Sequence, residues 1–128
     1  TTNLERLAGQ YNEAFVGIGN NRLRGELIGR LRRCGYVIPV LIHPTAYVSR
    51  TASIGSGTVV EPKAIVNANT TIGQGSIISV GAIVDHDVAV GEYCHVNAGA
   101  IVKAGAIVES FRKLEAGEVV TGYENANK

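Results

Sequence analysis

Ile54-Gly55-Ser56-Gly57-Thr58-Val59-Val60-Glu61-Pro62-Lys63-Ala64-Ile65-Val66-Asn67-Ala68-Asn69-Thr70-Thr71-Ile72 carries an aliphatic residue at every sixth position. Extended outward, the same step gives Ile42, Val48, Ile54, Val60, Val66, Ile72, Ile78, Val84, Val90, Val96, Val102, Val108, Leu114 and Val120 without a break. Ile, Val and Leu make up 35 of the 128 residues, so chance produces such a run with a probability on the order of one in 10⁸ per register. Four places after each aliphatic stand small or compact residues: Ala46, Ala52, Thr58, Ala64, Thr70, Ser76, Ala82, Val88, Cys94, Ala100 and Ala106. Three places after it come Gly57, Asn69, Gly75, Gly81, Asp87, Gly99, Gly105 and Gly117, types that tolerate positive φ.

Each hexad therefore predicts a short strand followed by a sharp turn. Three hexads close a triangular coil of about 18 residues, and coils stacked about 4.8 Å apart form a parallel β-helix with the aliphatics inside. The pattern resembles the left-handed hexapeptide-repeat β-helix. Residues 42–122 hold about four and a half such coils, a prism short enough to require a partner surface. Beyond Val108 the repeat decays, with Arg112 and Glu118 in the small corner places, and a polar tail, 123–128, is expected to lie loose.

Ahead of the prism, residues 1–41 read as a partial α/β, Rossmann-like segment. Residues 13–18 are expected as a strand, Gly17-Ile18-Gly19-Asn20-Asn21 as a turn into a helix, and 36–41 as a second strand. Leu23, Leu27 and Leu31 supply the helix stripe, and Gly35 stands where a C-terminal cap belongs. The turn lacks a full GxGxxG, so it is read either as a plain helix start or as an anion contact in which Arg22 or Arg24 meets a diphosphate.

Twelve Lys and Arg against 11 Asp and Glu give no basic excess of the kind a nucleic-acid binder carries. No apolar stretch approaches the roughly 20 residues that span a bilayer, so no membrane partner is expected and a cytoplasmic location is. Cys34 and Cys94 lie far apart in the chain and form neither a metal pair nor a disulfide framework. The absence of Met leaves processing before Thr1 or a piece of a longer chain as the alternatives.

Three histidines are present, His43, His86 and His95, separated by 43 and 9 residues. Neither gap is near a multiple of a coil, so zinc ligation is not expected. His43, before Pro44, is read as structural. His86 lies between Asp85 and Asp87 at an outer edge, where an imidazole beside a carboxylate can serve as a general base near neutral pH. His95, one place before inward Val96, points outward on another side of the prism; two solvated turn histidines are the other reading of this pair. Cys94 takes an inward corner and is read as an inert core residue.

From Phe15 to about Ala106 the chain resembles the sialic acid O-acetyltransferase and UDP-amino-sugar N-acetyltransferase family. The resemblance is carried by Phe15-Val16-Gly17-Ile18-Gly19-Asn20-Asn21 with Arg24, by Leu41-Ile42-His43-Pro44-Thr45-Ala46, and above all by Val84-Asp85-His86-Asp87-Val88-Ala89-Val90-Gly91-Glu92-Tyr93-Cys94-His95-Val96. It implies a homotrimer with sites between prisms, acetyl-CoA as co-substrate, no metal, and a nucleotide-linked sugar as acceptor. His86 corresponds to the base, Asp87 to the acid that orients it, and His95 to a second pocket histidine. Gly99, Ala100, Ala104 and Gly105 fall on the acyl-CoA side, with backbone N–H groups near Gly99 and Gly105 holding the oxyanion and pantetheine. Gly17, Gly19, Asn20, Asn21, Arg24, Asn67 and Ser79 fall on the acceptor side. Ser79 stands where members usually carry Asn, and the coils that usually cradle coenzyme A are cut short after Ala106. A catalytically inactive trimeric β-helix that binds a ligand or scaffolds a partner is the alternative.

Overall fold

The computed structural model describes residues 3–123; the expected tail beyond Tyr123 lies outside the described residues. The hexads fold into two-residue strands on three parallel sheets. The first holds β1 (Leu41–Ile42), β4 (Val59–Val60), β7 (Ile77–Ile78) and β10 (His95–Val96). The second holds β2 (Tyr47–Val48), β5 (Ile65–Val66), β8 (Ile83–Val84), β11 (Ile101–Val102) and β13 (Val119–Val120). The third holds β3 (Ser53–Ile54), β6 (Thr71–Ile72), β9 (Ala89–Val90) and β12 (Ile107–Val108). Every pairing joins residues one coil apart, as in Leu41↔Val59, Ile65↔Ile83 and Thr71↔Ala89, so the chain is a parallel β-helix with six residues to a side.

The second residue of each strand points inward, because successive side chains of a strand face opposite ways. From Val60 to Val108 these residues, together with Leu114, are buried. In the first coil Ile42 remains 46% exposed, since no described coil lies beneath it. The corner places from Thr58 to Ala106 are buried as well, and their hydroxyls are satisfied. Thr58 Oγ1 donates to the Gly73 carbonyl at 3.0 Å and accepts from Ser76 N at 3.1 Å. Thr70 does the same with the Asp85 carbonyl and Val88 N. Positive φ recurs at every sixth residue from Gly57 to Gly117, and it includes Lys63, Tyr93 and Phe111, which residue type alone did not flag. The coil register also outlasts the expected decay after Val108: β13 pairs with β11, and Lys113 bridges to His95.

The amino-terminal segment differs from expectation. The two expected strands reduce to one parallel bridge, Glu13↔Val37, preceded by a short helix α1 (Asn3–Leu7). Residues 15–19 have no strand beside them, and the carbonyls of Ile18 and Gly19 are taken by an arginine side chain instead. Helix α2 (Asn21–Arg33) starts at Asn20, whose Oδ1 accepts from Leu23 N at 2.9 Å, and Gly35 follows its end at φ 93°. Its buried stripe is Arg24, Ile28 and Leu31, not the leucine row, and Leu23 is 43% exposed. The helix is rotated so that Arg24 faces the prism. It packs on the corner between the third and first sheets, where Gly57 and Gly75 leave room: a Cβ on Gly75 would lie 2.5 Å from the Tyr93 ring. Among the described residues no helix is long and apolar enough to cross a membrane.

Candidate active site

The Asp85-His86-Asp87 corner turns the chain from β8 to β9, and Asp87 takes the positive φ of the repeat, 57°. That conformation folds the Asp87 carboxylate back on the preceding ring, with His86 Nδ1 to Asp87 Oδ2 at 2.8 Å. A carboxylate only accepts, so Nδ1 carries a proton, and in the neutral ring Nε2 then holds the lone pair. Asp85 Oδ1 accepts both His86 N–H at 2.8 Å and Asn67 Nδ2 at 3.1 Å. Asn67, expected to touch the acceptor, also caps Ala68 N through its own Oδ1 and so serves as a strut beneath Asp85. The ring itself is about half exposed.

One coil above His86 lies Ala104. In this column the amides of Ala68 and His86 are capped by the preceding Asn67 and Asp85 side chains. Ala104 follows Lys103, which has no acceptor atom in its side chain, and the Ala104 N–H has no hydrogen-bond partner among the described residues. It borders a cleft of about 370 Å³ lined by Asp85, Ile101, Lys103, Ala104 and Tyr123. The other amides expected to hold the acyl group are occupied, because corner amides of a stacked coil donate within the coil wall. Gly99 N donates to the Val80 carbonyl at 3.0 Å, Gly105 N to the His86 carbonyl at 3.2 Å and Ala100 N to the Asn97 carbonyl at 3.1 Å, with the Ala100 side chain fully inside.

His95 stands on the outer surface of the first sheet, away from His86. Its Nε2 meets Ser79 Oγ at 2.9 Å, while Nδ1 is buried and has no hydrogen-bond partner among the described residues. Burial holds its pKa below the ordinary histidine value; the Lys113 and Arg24 charges push the same way and Glu61 opposes them. Glu61 and Lys113 were missed in the sequence, although each lies one coil from an identified residue, Ser79 and His95 respectively. Beside this surface a cleft of about 510 Å³ is lined by Gly19, Asn20, Asn21, Arg22 and Lys113. Both asparagine side chains have internal partners: Asn20 caps the helix, and Asn21 donates to the Phe111 carbonyl and accepts from Arg24. Arg22 covers the Phe111 ring, 4.9 Å from its centroid.

Arg24 corrects the expectation of a phosphate contact. It is 1% exposed, and its five N–H groups meet five protein acceptors. No donor is left for a ligand. Cys94 is buried as expected, its thiol donating to the Glu109 carbonyl at 3.0 Å, and burial pushes its pKa up. His43 closes its own turn through Thr45. Thus Asn67, Asp85, His86, Asp87 and Ala104 come together at one corner, whereas His95 and Ser79 meet on another side, where Lys113, bridged to His95, also borders the cleft of residues 19–22.

The structure is thus a three-sided β-helix of hexads that carries an outward histidine-carboxylate pair at one corner. No family model matches the sequence, and no curated protein does. Solved structures do. The acetyltransferase domain of PglB from Neisseria gonorrhoeae in complex with acetyl coenzyme A is 33% identical with a TM-score of 0.90, over 93% of this chain and 58% of that one. The same domain in another structure is 34% identical with a TM-score of 0.85, over 86% and 54%. A histidine mutant of perosamine N-acetyltransferase from Caulobacter crescentus, in complex with CoA and GDP-perosamine, is 33% identical with a TM-score of 0.82, over 93% and 66%. The chain belongs to the hexapeptide-repeat β-helix acetyltransferases. It spans between 54% and 66% of the length of these three structures.

Proposed function

We propose that the protein transfers an acetyl group from acetyl-CoA directly to an amino or hydroxyl group of a nucleotide-linked sugar. The observation that carries this reading is the His86 corner, where an oriented imidazole stands one coil below the Ala104 N–H, which has no partner among the described residues. The acceptor nitrogen or oxygen attacks the thioester carbonyl while His86 Nε2 removes its proton. The oxyanion that forms is held by Ala104 N–H, the carbon–sulfur bond then breaks, and the imidazolium returns the proton to the departing CoA thiolate. General-base catalysis contributes about 10²–10⁴-fold, and an oxyanion donor about 10²–10³-fold. The neighbours support both substrates: one is complexed with acetyl coenzyme A, the other with CoA and GDP-perosamine.

The acceptor side is assigned to the His95 face with Ser79 and residues 17–21, and the donor side to the Ala104 cleft. These lie on different sides of one prism, so a working site joins two prisms, and the assembly proposed is a homotrimer. The outer face of the second sheet supports it: Tyr47, Ile65, Ile83, Ile101 and Val119 form one apolar stripe along the prism, with Tyr47 56% and Val119 49% exposed. Exposed apolar stripes of this kind mark interfaces. The proposed location is the cytoplasm, which accords with the two free cysteines.

The test is acetyl transfer from acetyl-CoA to GDP-perosamine, with sedimentation in parallel. Activity lost in His86→Ala and a trimer at micromolar concentration are the expected results. Undiminished turnover in His86→Ala would overturn the mechanism, and a parent protein that neither transfers acetyl nor binds acetyl-CoA would leave a β-helix with a binding or scaffolding role.

A further inference from the structure

We infer that Arg24 is a positioning residue, whose guanidinium ties the loop at residues 17–21 to the backbone beneath His95 and thereby sets the acceptor side of the site. The inference rests on the proposed reading of that face. Its five bonds reach the loop, the first residue of α2 and two successive coils of the prism. Nη1 donates to the Ile18 carbonyl at 2.9 Å and the Gly19 carbonyl at 3.3 Å in the loop. Nη2 donates to Asn21 Oδ1 at 2.7 Å on the helix and to the Cys94 carbonyl at 3.1 Å, directly before His95. Nε donates to the Gly75 carbonyl at 2.5 Å, one coil below.

Among the described residues these are the only hydrogen bonds that residues 15–19 make. Without them residues 15–19 are held by packing alone, and the loop keeps only the Asn21 bond to the Phe111 carbonyl of the prism. The group is also a poor choice for stability: a buried cation facing neutral carbonyls has no carboxylate to offset its desolvation. What the planar fork provides is fixed geometry, since it addresses several acceptors at set angles, whereas lysine offers one ammonium with three donors. The loop held in this way lines the cleft with Arg22 and Lys113, and Lys113 pairs with His95.

The experiment compares the full chain with Arg24→Lys and Arg24→Met. Arg32→Met is the control, because Arg32 ties the other end of α2 to Gln74 and Ser56. Three quantities are read: KM for GDP-perosamine and for acetyl-CoA separately, amide hydrogen exchange, and the titration of His95 followed by NMR. Arg24→Lys is expected to raise the GDP-perosamine KM about tenfold or more while leaving that for acetyl-CoA within about twofold. Exchange should rise at residues 17–21 and not in the coils at 58–106. Arg24→Met should move the His95 midpoint up, since one of the two cations that lower it is removed while Lys113, Glu61 and Ser79 remain. Arg32→Met should produce none of these changes.

Parallel loss toward both substrates with exchange spreading through the prism would show a merely structural role. Unchanged acceptor KM and unchanged loop exchange would also overturn the inference. If the parent does not acetylate GDP-perosamine, the exchange and titration results still decide the role of Arg24, and the functional reading fails separately. If Arg24→Met does not fold, Arg24→Lys carries the comparison.

Discussion

The two outward histidines stand nine residues apart and are held in opposite ways. His86 is about half exposed and is oriented by its chain neighbour, Asp87, through a turn that the repeat itself imposes. His95 is half-buried and is surrounded by groups from elsewhere: Ser79 from one coil below, Lys113 from one coil above, and Arg24 from a helix that precedes the prism. A local site depends only on the turn, whereas an assembled site depends on register and on docking. Mutations should therefore separate the two.

The harshest perturbation removes the frame that both share. Val84→Asp places a charge where Val84 is fully buried beneath the His86 corner. It should cost about 4–5 kcal/mol or more, enough to abolish the thermal unfolding transition of the folded chain; an unchanged Tm would show that the inward register is wrong. His86→Ala comes next, and it should lower kcat/KM about 10²–10⁴-fold with Tm nearly unchanged, because the ring packs against little. Steady-state rates and a melting curve on one preparation check both halves of that statement.

Ile28→Ala acts on the docking that the His95 side requires. Ile28 is fully buried against the prism corner, and its loss should cost about 2–5 kcal/mol in denaturant unfolding. A smaller effect is the pH dependence of His95. Its folded pKa lies below the unfolded value, so the unfolded chain binds the proton more readily and stability falls as pH drops through the window beneath 6.5. His95→Asn should flatten that slope in unfolding measured between neutral and mildly acidic pH. The least effect is expected from Leu23→Ala on exposed Leu23, within about 0.5 kcal/mol.

Residues 23 and 28 also show where sequence reading reached its limit. Hydropathy selects Leu23, Leu27 and Leu31 as the stripe, but the prism offers the Gly75 and Cys94 carbonyls to whatever faces it, and the helix turns to present Arg24. The stretch at residues 13–18 reads as a strand, yet a strand needs a partner, and only Glu13 finds one in Val37. The prism was far more legible because a fixed step converts sequence separation into spatial contact. The inward aliphatics and small corners follow from it directly. The same step puts Lys63, Tyr93 and Phe111 at positive φ, which their side chains do not announce.

The candidate site was legible to the same uneven degree. His86 and Asp87 are adjacent in sequence and stay so in space. The Ala104 amide is chosen by what precedes it: Asn67 and Asp85 cap the amides below, and Lys103 cannot. Glu61 and Lys113 enter only through coil stacking, and Arg24 only through docking of the helix.

The claim that the His86 corner is an acetyl-transfer site depends most directly on a donor that binds beside Ala104. Calorimetric titration of the chain with acetyl-CoA, repeated with His86→Ala, measures this. The account predicts binding in the micromolar range that survives the substitution, since the base acts on the acceptor and not on the thioester's anchorage. Absence of binding at millimolar acetyl-CoA, in a sample shown to be folded, would contradict it.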